Sequence, residues 1–244
     1  MKILFIGDTH GQWAILNHII KHVVSEEKIE LIIQLGDFGF WPTLKNIKKG
    51  TYGLGLIDTQ GVPLYWIAGN HEHWDHLDMN ITKGNYDEII HVYGDIYYIP
   101  RGAVFELSGK IFMGIGGALS IDKINRTEGV SWFKRETPNY QDISRILAKD
   151  LKLDYLITHT IPDSGVKYVL DEFKKNYGDP TSTFLEEVVD KFKPTYMYCG
   201  HWHERKSFTV HETEVNVLSN VDYIDSNRIK KGIYNDDCYK IVEI

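Results

Sequence analysis

Side chains that could hold or work beside a metal ion fall at the ends of five apolar runs in this 244-residue chain. Asp8 and His10 follow the run Lys2 to Gly7, and Asp37 follows Leu31 to Leu35. Asn70 and His71 follow Leu64 to Ala68, His159 follows Tyr155 to Thr158, and His201 with His203 follows Thr195 to Cys199. Oxygen and imidazole donors with no thiolate suit borderline divalent ions such as Mn²⁺, Fe²⁺ or Zn²⁺, and a tetrahedral cysteine site is excluded. A single catalytic ion uses about three protein ligands, so this many donors point to two ions sharing a carboxylate. Any one of Asp8, Asp37 or Asn70 reads equally well as turn chemistry after a strand. Five clusters in this order favour the site.

The runs that must position these residues are short, β-branched and nearly continuous in apolar character, the habit of strands buried on both faces and covered by helices. Polar residues at the carboxyl ends of such strands are where open α/β sheets place ligands. Ile15, Leu16, Ile19, Ile20 and Val23 recur at helical spacing and predict a helix over Trp13 to Glu26. From Ile89 to Gly117 the pattern becomes strand after strand, with Ile96 to Ile99, Ala103 to Leu107 and Ile111 to Ile115 separated by turns, so hairpins are expected there. Helical spacing returns at about Tyr140 to Leu151 and at Thr183 to Phe192, and antiparallel strands are expected over Lys206 to Val217 and Tyr239 to Ile244. No linker, repeat or low-complexity tract interrupts the chain, which predicts a single domain over residues 1–244.

The composition narrows the function classes. With 43% apolar and 25% charged residues the chain reads as globular, and a net charge of −7 argues against coating nucleic acid or an anionic membrane. No stretch approaches the ~18 apolar residues of a membrane span, and two cysteines are too few for a disulfide framework, so a cytoplasmic setting is expected. Two excesses remain, 11 histidines and an aromatic set of Trp 6, Tyr 15 and Phe 10.

Asp8-Thr9-His10, Gly36-Asp37, Gly69-Asn70-His71-Glu72, His159 and Gly200-His201-Trp202-His203 together resemble, in order and rough spacing, the calcineurin-like metallophosphoesterases. The intact Gly-Asn-His-Glu and Gly-His-x-His carry most of the specificity. The segment from Gly116-Gly117-Ala118 to Val130-Ser131-Trp132-Phe133 also resembles an insert of small phage and prokaryotic members. The resemblance implies an α/β (α+β) fold, a four-layer sandwich of two packed mixed β-sheets flanked by helices. It implies that Asp8, His10, Asp37 and His203 hold one divalent ion, and Asp37, Asn70, His159 and His201 a second, with Mn²⁺ first expected and iron or Zn²⁺ as alternatives. Two cations ~3.5 to 4 Å apart hold a hydroxide for in-line attack on a phosphate ester. His71 is then the non-ligand histidine that protonates the departing oxygen or steadies the phosphoryl charge.

The expected substrate is a small phosphate mono- or diester, preferably of nucleotide type. The Ser/Thr protein phosphatases continue their second motif to Val-Asp-Arg-Gly, whereas Asp37 here is followed by Phe38-Gly39-Phe40-Trp41, which disfavours a protein phosphatase. Arg126 is the candidate replacement phosphate clamp, and Arg101 is read as a surface salt bridge. Trp13, Phe38, Phe40, Trp41, Trp74 and Trp202 lie beside the motifs, and Trp41 and Trp74 are the candidates for stacking on the leaving group. Glu72 and Asp75 are candidates to orient His71. A non-catalytic scaffold of the same fold is the main alternative, disfavoured because every motif position is filled. A nuclease would want a basic groove.

Overall fold

Alternation along the strands decides the layering. In β1 (Lys2–Ile6), Leu4 and Ile6 enter one apolar cluster and Ile3 and Phe5 another. The same split recurs in β2 (Leu31–Gln34), where Ile32 faces one way and Leu31 and Ile33 the other. It recurs again in β8 (Tyr155–Thr158), with Leu156 opposite Tyr155 and Ile157, and in β9 (Tyr196–Cys199), with Met197 and Cys199 opposite Tyr198. A strand apolar on both faces must be covered on both, so each sheet packs on helices and on the other sheet.

The computed structural model describes residues 1–42, 53–170, 178–221 and 236–244. The first sheet adds β3 (Leu64–Trp66), β4 (Ile90–Tyr93), β5 (Ile96–Tyr98) and β12 (Tyr239–Glu243), in the order β12-β1-β2-β3-β5-β4. The second contains β6 (Val104–Leu107), β7 (Lys110–Ile115), β8, β9, β10 (Lys206–Val210) and β11 (Thr213–Val217), in the order β10-β11-β9-β8-β7-β6. The two share one plan: four central parallel strands with an antiparallel strand on each edge. The expected hairpins are present, and the chain changes sheet between them: β4 and β5 lie in the first, β6 and β7 open the second, and β12 returns to the first.

Helix α1 (Trp13–Glu26) covers the first sheet with Leu16, Ile19 and Ile20. Helices α3 (Tyr140–Leu147) and α4 (Pro180–Phe192) cover the second, with Ile146, Leu185, Val188 and Val189 against Met113, Leu156 and Met197. A short turn, α2 (Trp74–His76), follows the third motif. Two helices differ from their predicted spans at the ends. α4 begins three residues early because Asp179 caps it through Thr181 N–H and Pro180 fits the first turn, a start signal independent of hydrophobic spacing. α3 opens on a capping box of Asn139 and Asp142 and stops at Leu147, four residues short of the periodicity.

Aromatic rings fill the space between the sheets. Phe5 stacks on Tyr198 with centroids 4.1 Å apart, and Phe112 on Tyr155 at 4.5 Å. Much of the aromatic excess is therefore core. Among the described residues no helix is long and apolar enough to cross a membrane.

Candidate metal centre

The parallel centres of the two sheets end at one common edge, where β1, β2 and β3 meet β8 and β9. Asp8 is buried there; its Oδ1 accepts the backbone N–H of His201 at 2.9 Å, and its Oδ2 lies 3.1 Å from His203 Nε2 and 3.8 Å from His10 Nε2. The two imidazole nitrogens are 3.1 Å apart. Asp37 Oδ1 accepts the N–H of His71 at 2.7 Å and faces His159 Nε2 at 3.4 Å, while its Oδ2 lies 3.7 Å from His10 Nδ1. His159 is fully buried and donates from Nδ1 to the Leu35 carbonyl at 2.8 Å. Its Nε2 lies 3.1 Å from Asn70 Oδ1, able to donate there when the ring is protonated and to offer a lone pair to a cation when it is neutral. The His201 ring packs edge-on to His159, centroids 5.0 Å apart.

The carboxylates of Asp8 and Asp37 and the amide oxygen of Asn70 all turn toward imidazole nitrogens, so the cluster needs positive charge among them, carried by protonated rings or by a cation. The donor set, oxygens and neutral imidazoles in two overlapping groups, fits divalent ions. One group is Asp8, His10 and His203; the other is Asp8, Asp37 and His159. The resemblance implies Asp37 as the shared carboxylate. Here Asp8 belongs to both groups, and Asp37 likewise reaches an imidazole in each.

The protonation pattern reflects the same demand for positive charge. Burial opposes the charged form of His159, but Asp37 and Asp8 outweigh it and push its pKa up to about 10. Burial likewise opposes ionised Asp37, yet His159, His71 and His10 hold it far below the carboxylate range. His201 is pushed down to about 3, by burial first and the His159 charge second. Burial also lowers His71, and Arg126 adds to the effect.

Backbone strain is concentrated in the same loops. His10, Asp37, His201 and His203 adopt left-handed φ values of 47°, 49°, 70° and 54°, which costs about 1 kcal/mol or more each for a residue with a Cβ. The glycines beside them permit close approach: a Cβ on Gly69 would overlap the Asp37 carboxylate, and one on Gly200 the Asp8 carboxylate. This is the physical reason for glycine in both motifs.

Of the substrate candidates, Trp41 is half-buried and, with Trp13, Gly11 and Gly39, lines a cavity of about 340 Å³ that shares His10, Asp37 and His71 with the centre. A wider cleft of about 860 Å³ shares the same three residues and is walled further by Ile121, Asp122, Tyr168 and Trp202. Arg126 donates to Ser120 Oγ at 2.9 Å and lies 3.5 Å from Asp122. Trp74 does not wall either cavity: it is 1% exposed, its indole N–H donates to the Gly69 carbonyl at 2.9 Å, and Arg101 lies 4.2 Å over its ring. It supports the third motif from behind, because its predicted position next to that motif falls on the core side of the turn. Phe38 and Phe40 are likewise core.

Arg101 is not on the surface. It is 2% exposed, pairs with Asp142 at 2.9 Å and donates to the carbonyls of Gly116, Arg135 and Glu136. Glu72 does not orient the His71 ring; its buried carboxylate accepts the N–H groups of Gly39 and Gly69 and ties the second motif loop to the third. Burial and Asp37 push its pKa up to about 8. Ser120, which accepts from Asn70, lies in the segment that resembles the family insert but is not singled out by it, and Glu136, which holds Ser120, carries no motif signal in the sequence.

Residues 1–205 match the family model for calcineurin-like phosphoesterases. The chain is 25% identical over 247 residues to the lariat debranching enzyme of Schizosaccharomyces pombe, covering 86% of this chain and about half (50%) of that protein's length. In fold it is similar to TT1561 of Thermus thermophilus, with a TM-score of 0.56, 15% identity and coverage of 90% and 89% of the two chains. It is similar also to the phosphopantetheinyl hydrolase of Mycobacterium tuberculosis, with a TM-score of 0.51, 14% identity and coverage of 99% and 95%. GAP50, the anchor in the inner membrane complex of Plasmodium, matches at a TM-score of 0.51 with 13% identity, over 90% of this chain and 71% of that one. With a family model matched across its motif loops and both sheets, the chain belongs to the calcineurin-like phosphoesterases.

Proposed function

We propose that this protein hydrolyses small phosphate esters, nucleotide-type esters by preference, with two divalent ions. The observation that carries the reading is the convergence of Asp8, His10, Asp37, Asn70, His159, His201 and His203 at the shared edge of both sheets, imidazoles gathered around two carboxylates. Asp8, His10 and His203 with Asp37 would hold one ion, and Asp37, Asn70, His159 and His201 the other, Mn²⁺ being preferred over iron or Zn²⁺. When bound, the ions activate water and neutralise phosphoryl charge.

The chain's own groups supply the rest. His71 borders both cavities, so its ring reaches a phosphoryl group seated between them from either side. Burial lowers its proton affinity in the empty site; the negative charge of an arriving phosphate raises it again, so the ring takes up a proton from solvent and passes that proton to the departing oxygen. Arg126, held beside it through Ser120, contributes a fixed positive charge toward the phosphoryl oxygens. Trp41 offers a ring to a planar leaving group from the narrow cavity. No Gly-x-Ser-x-Gly nucleophile setting is present in the sequence, and direct attack by water on phosphorus is the proposed route.

The test is metal add-back. Stripped protein is given Mn²⁺, Zn²⁺ or Mg²⁺ and assayed against p-nitrophenyl phosphate, its bis-ester, cyclic and linear nucleotides, and a lariat substrate. Activity that returns with metal and vanishes in Asp37→Asn supports the proposal. If no metal restores hydrolysis of any ester while partner binding survives Asp37→Asn, the protein is a scaffold.

A further inference from the structure

We infer that Ser120, clasped by Glu136, is a positioning residue that aims the Asn70 amide at the second ion; the inference rests on the two-ion reading. Asn70 is the one carboxamide among the candidate ligands, so a flip of its side chain exchanges an acceptor oxygen for a donor NH₂ toward the centre. A wrong face would put N–H groups where a cation must sit. Three contacts settle the face. Ser120 Oγ accepts from Asn70 Nδ2 at 3.0 Å and from Arg126 Nη1 at 2.9 Å, and donates its single proton to Glu136 Oε2 at 2.8 Å. One proton and two lone pairs are then all used, so the hydroxyl has nothing left to offer Asn70 but acceptance. The amide nitrogen must point to Ser120, and Oδ1 must point to His159 Nε2, 3.1 Å away.

Glu136 makes this arrangement one-way. Its Oε1 accepts the backbone N–H of Ser120 at 2.7 Å while Oε2 takes the hydroxyl proton, so the carboxylate holds both ends of the same residue. Ser120 and Glu136 are each 1% exposed, which keeps water from substituting for either. Glu136 is in turn fixed through its backbone carbonyl, which accepts from Arg101 Nη2 at 3.0 Å. The segment that supplies Ser120, Arg126 and Glu136 lies 50 or more residues beyond Asn70 in the chain, so neither hydrogen bonding partner is local. The same hydroxyl serves Asn70 and Arg126, so one residue sets both an ion ligand and the cation beside His71.

Calorimetric titration of metal-stripped protein with Mn²⁺ tests this, with thermal melting alongside. Partners that orient metal ligands typically contribute 10- to 100-fold in affinity. In Ser120→Ala, one of two sites should weaken by that factor while the other, Asp8, His10 and His203, keeps its affinity. Glu136→Gln, which frees the hydroxyl proton from its ionic acceptor, should weaken the same site, and Ser120→Thr, which keeps the hydroxyl, should restore it. A purely structural role would weaken both sites together with the melting temperature, and that result overturns the inference. Two wild-type sites left unchanged in Ser120→Ala overturn it alone. A wild-type protein that takes up fewer than two ions overturns it together with the two-ion function.

Discussion

Substituting Gly69 by alanine should disable the centre without removing any ligand. The Cβ would fall on Asp37 Oδ1 and on the Asp37 backbone nitrogen, so the carboxylate must retreat by about 1 Å to regain ordinary contact. Gly69 itself cannot yield, since its N–H is held by the Glu72 carboxylate and its carbonyl by the Trp74 indole. Asp37 is held by the His71 N–H at 2.7 Å and faces His159 at 3.4 Å, so its displacement disturbs both groups of ligands. A misplacement of that size costs roughly 100-fold in rate, or about 2.7 kcal/mol of transition-state stabilisation. The overpacked turn should also lose about 1–3 kcal/mol of stability. The assay is kcat/KM for p-nitrophenyl esters after metal restoration, with urea unfolding of the same samples. Gly178→Ala is the control, because no heavy atom lies within 4 Å of a Cβ there. Gly69→Ala within threefold of wild type would refute the steric argument and the tight pairing of Asp37 with the third motif.

His71→Ala should lower kcat by about 10²- to 10⁴-fold with little change in metal affinity, measured by steady-state kinetics and calorimetry. Trp41→Ala should raise KM for nucleotide esters about fivefold or more over that for a small alkyl phosphate, since a stacked base contributes about 1–3 kcal/mol; equal effects would remove the stacking role. Trp74→Phe leaves the buried Gly69 carbonyl without its donor and should cost about 1–3 kcal/mol in urea unfolding, shifting KM for both esters by the same factor. Metal-free protein should lose stability as pH rises from 7 to 10. His159 and Glu72 have folded pKa values raised to about 10 and about 8, above their unfolded values, so their contribution is full at low pH and fades through those values. Urea midpoints that rise between pH 7 and pH 10 would contradict this.

The sequence by itself singled out the candidate residues of the centre and determined the layering of the fold. Asp8, Asp37, Asn70 and the histidines at 10, 159, 201 and 203 are readable because each ends an apolar run, and strand ends are the one place where a period-2 core pattern must give way to loop chemistry. Strands apolar on both faces likewise required cover on both sides, hence two sheets with helices outside. The tertiary structure alone decided what lies behind each ligand. Trp74 and Trp41 are both tryptophans beside a motif, yet one stacks under Arg101 in the core and the other lines a cavity, a difference set by the path of the turn and not by residue type. Arg101 is buried because carbonyls from residues 116, 135 and 136 and the Asp142 carboxylate gather around it, partners up to 41 positions away. Ser120 reaches Asn70 across 50 positions, and such contacts leave no periodic trace, because hydrogen bonds between distant loops depend on where the sheets bring those loops.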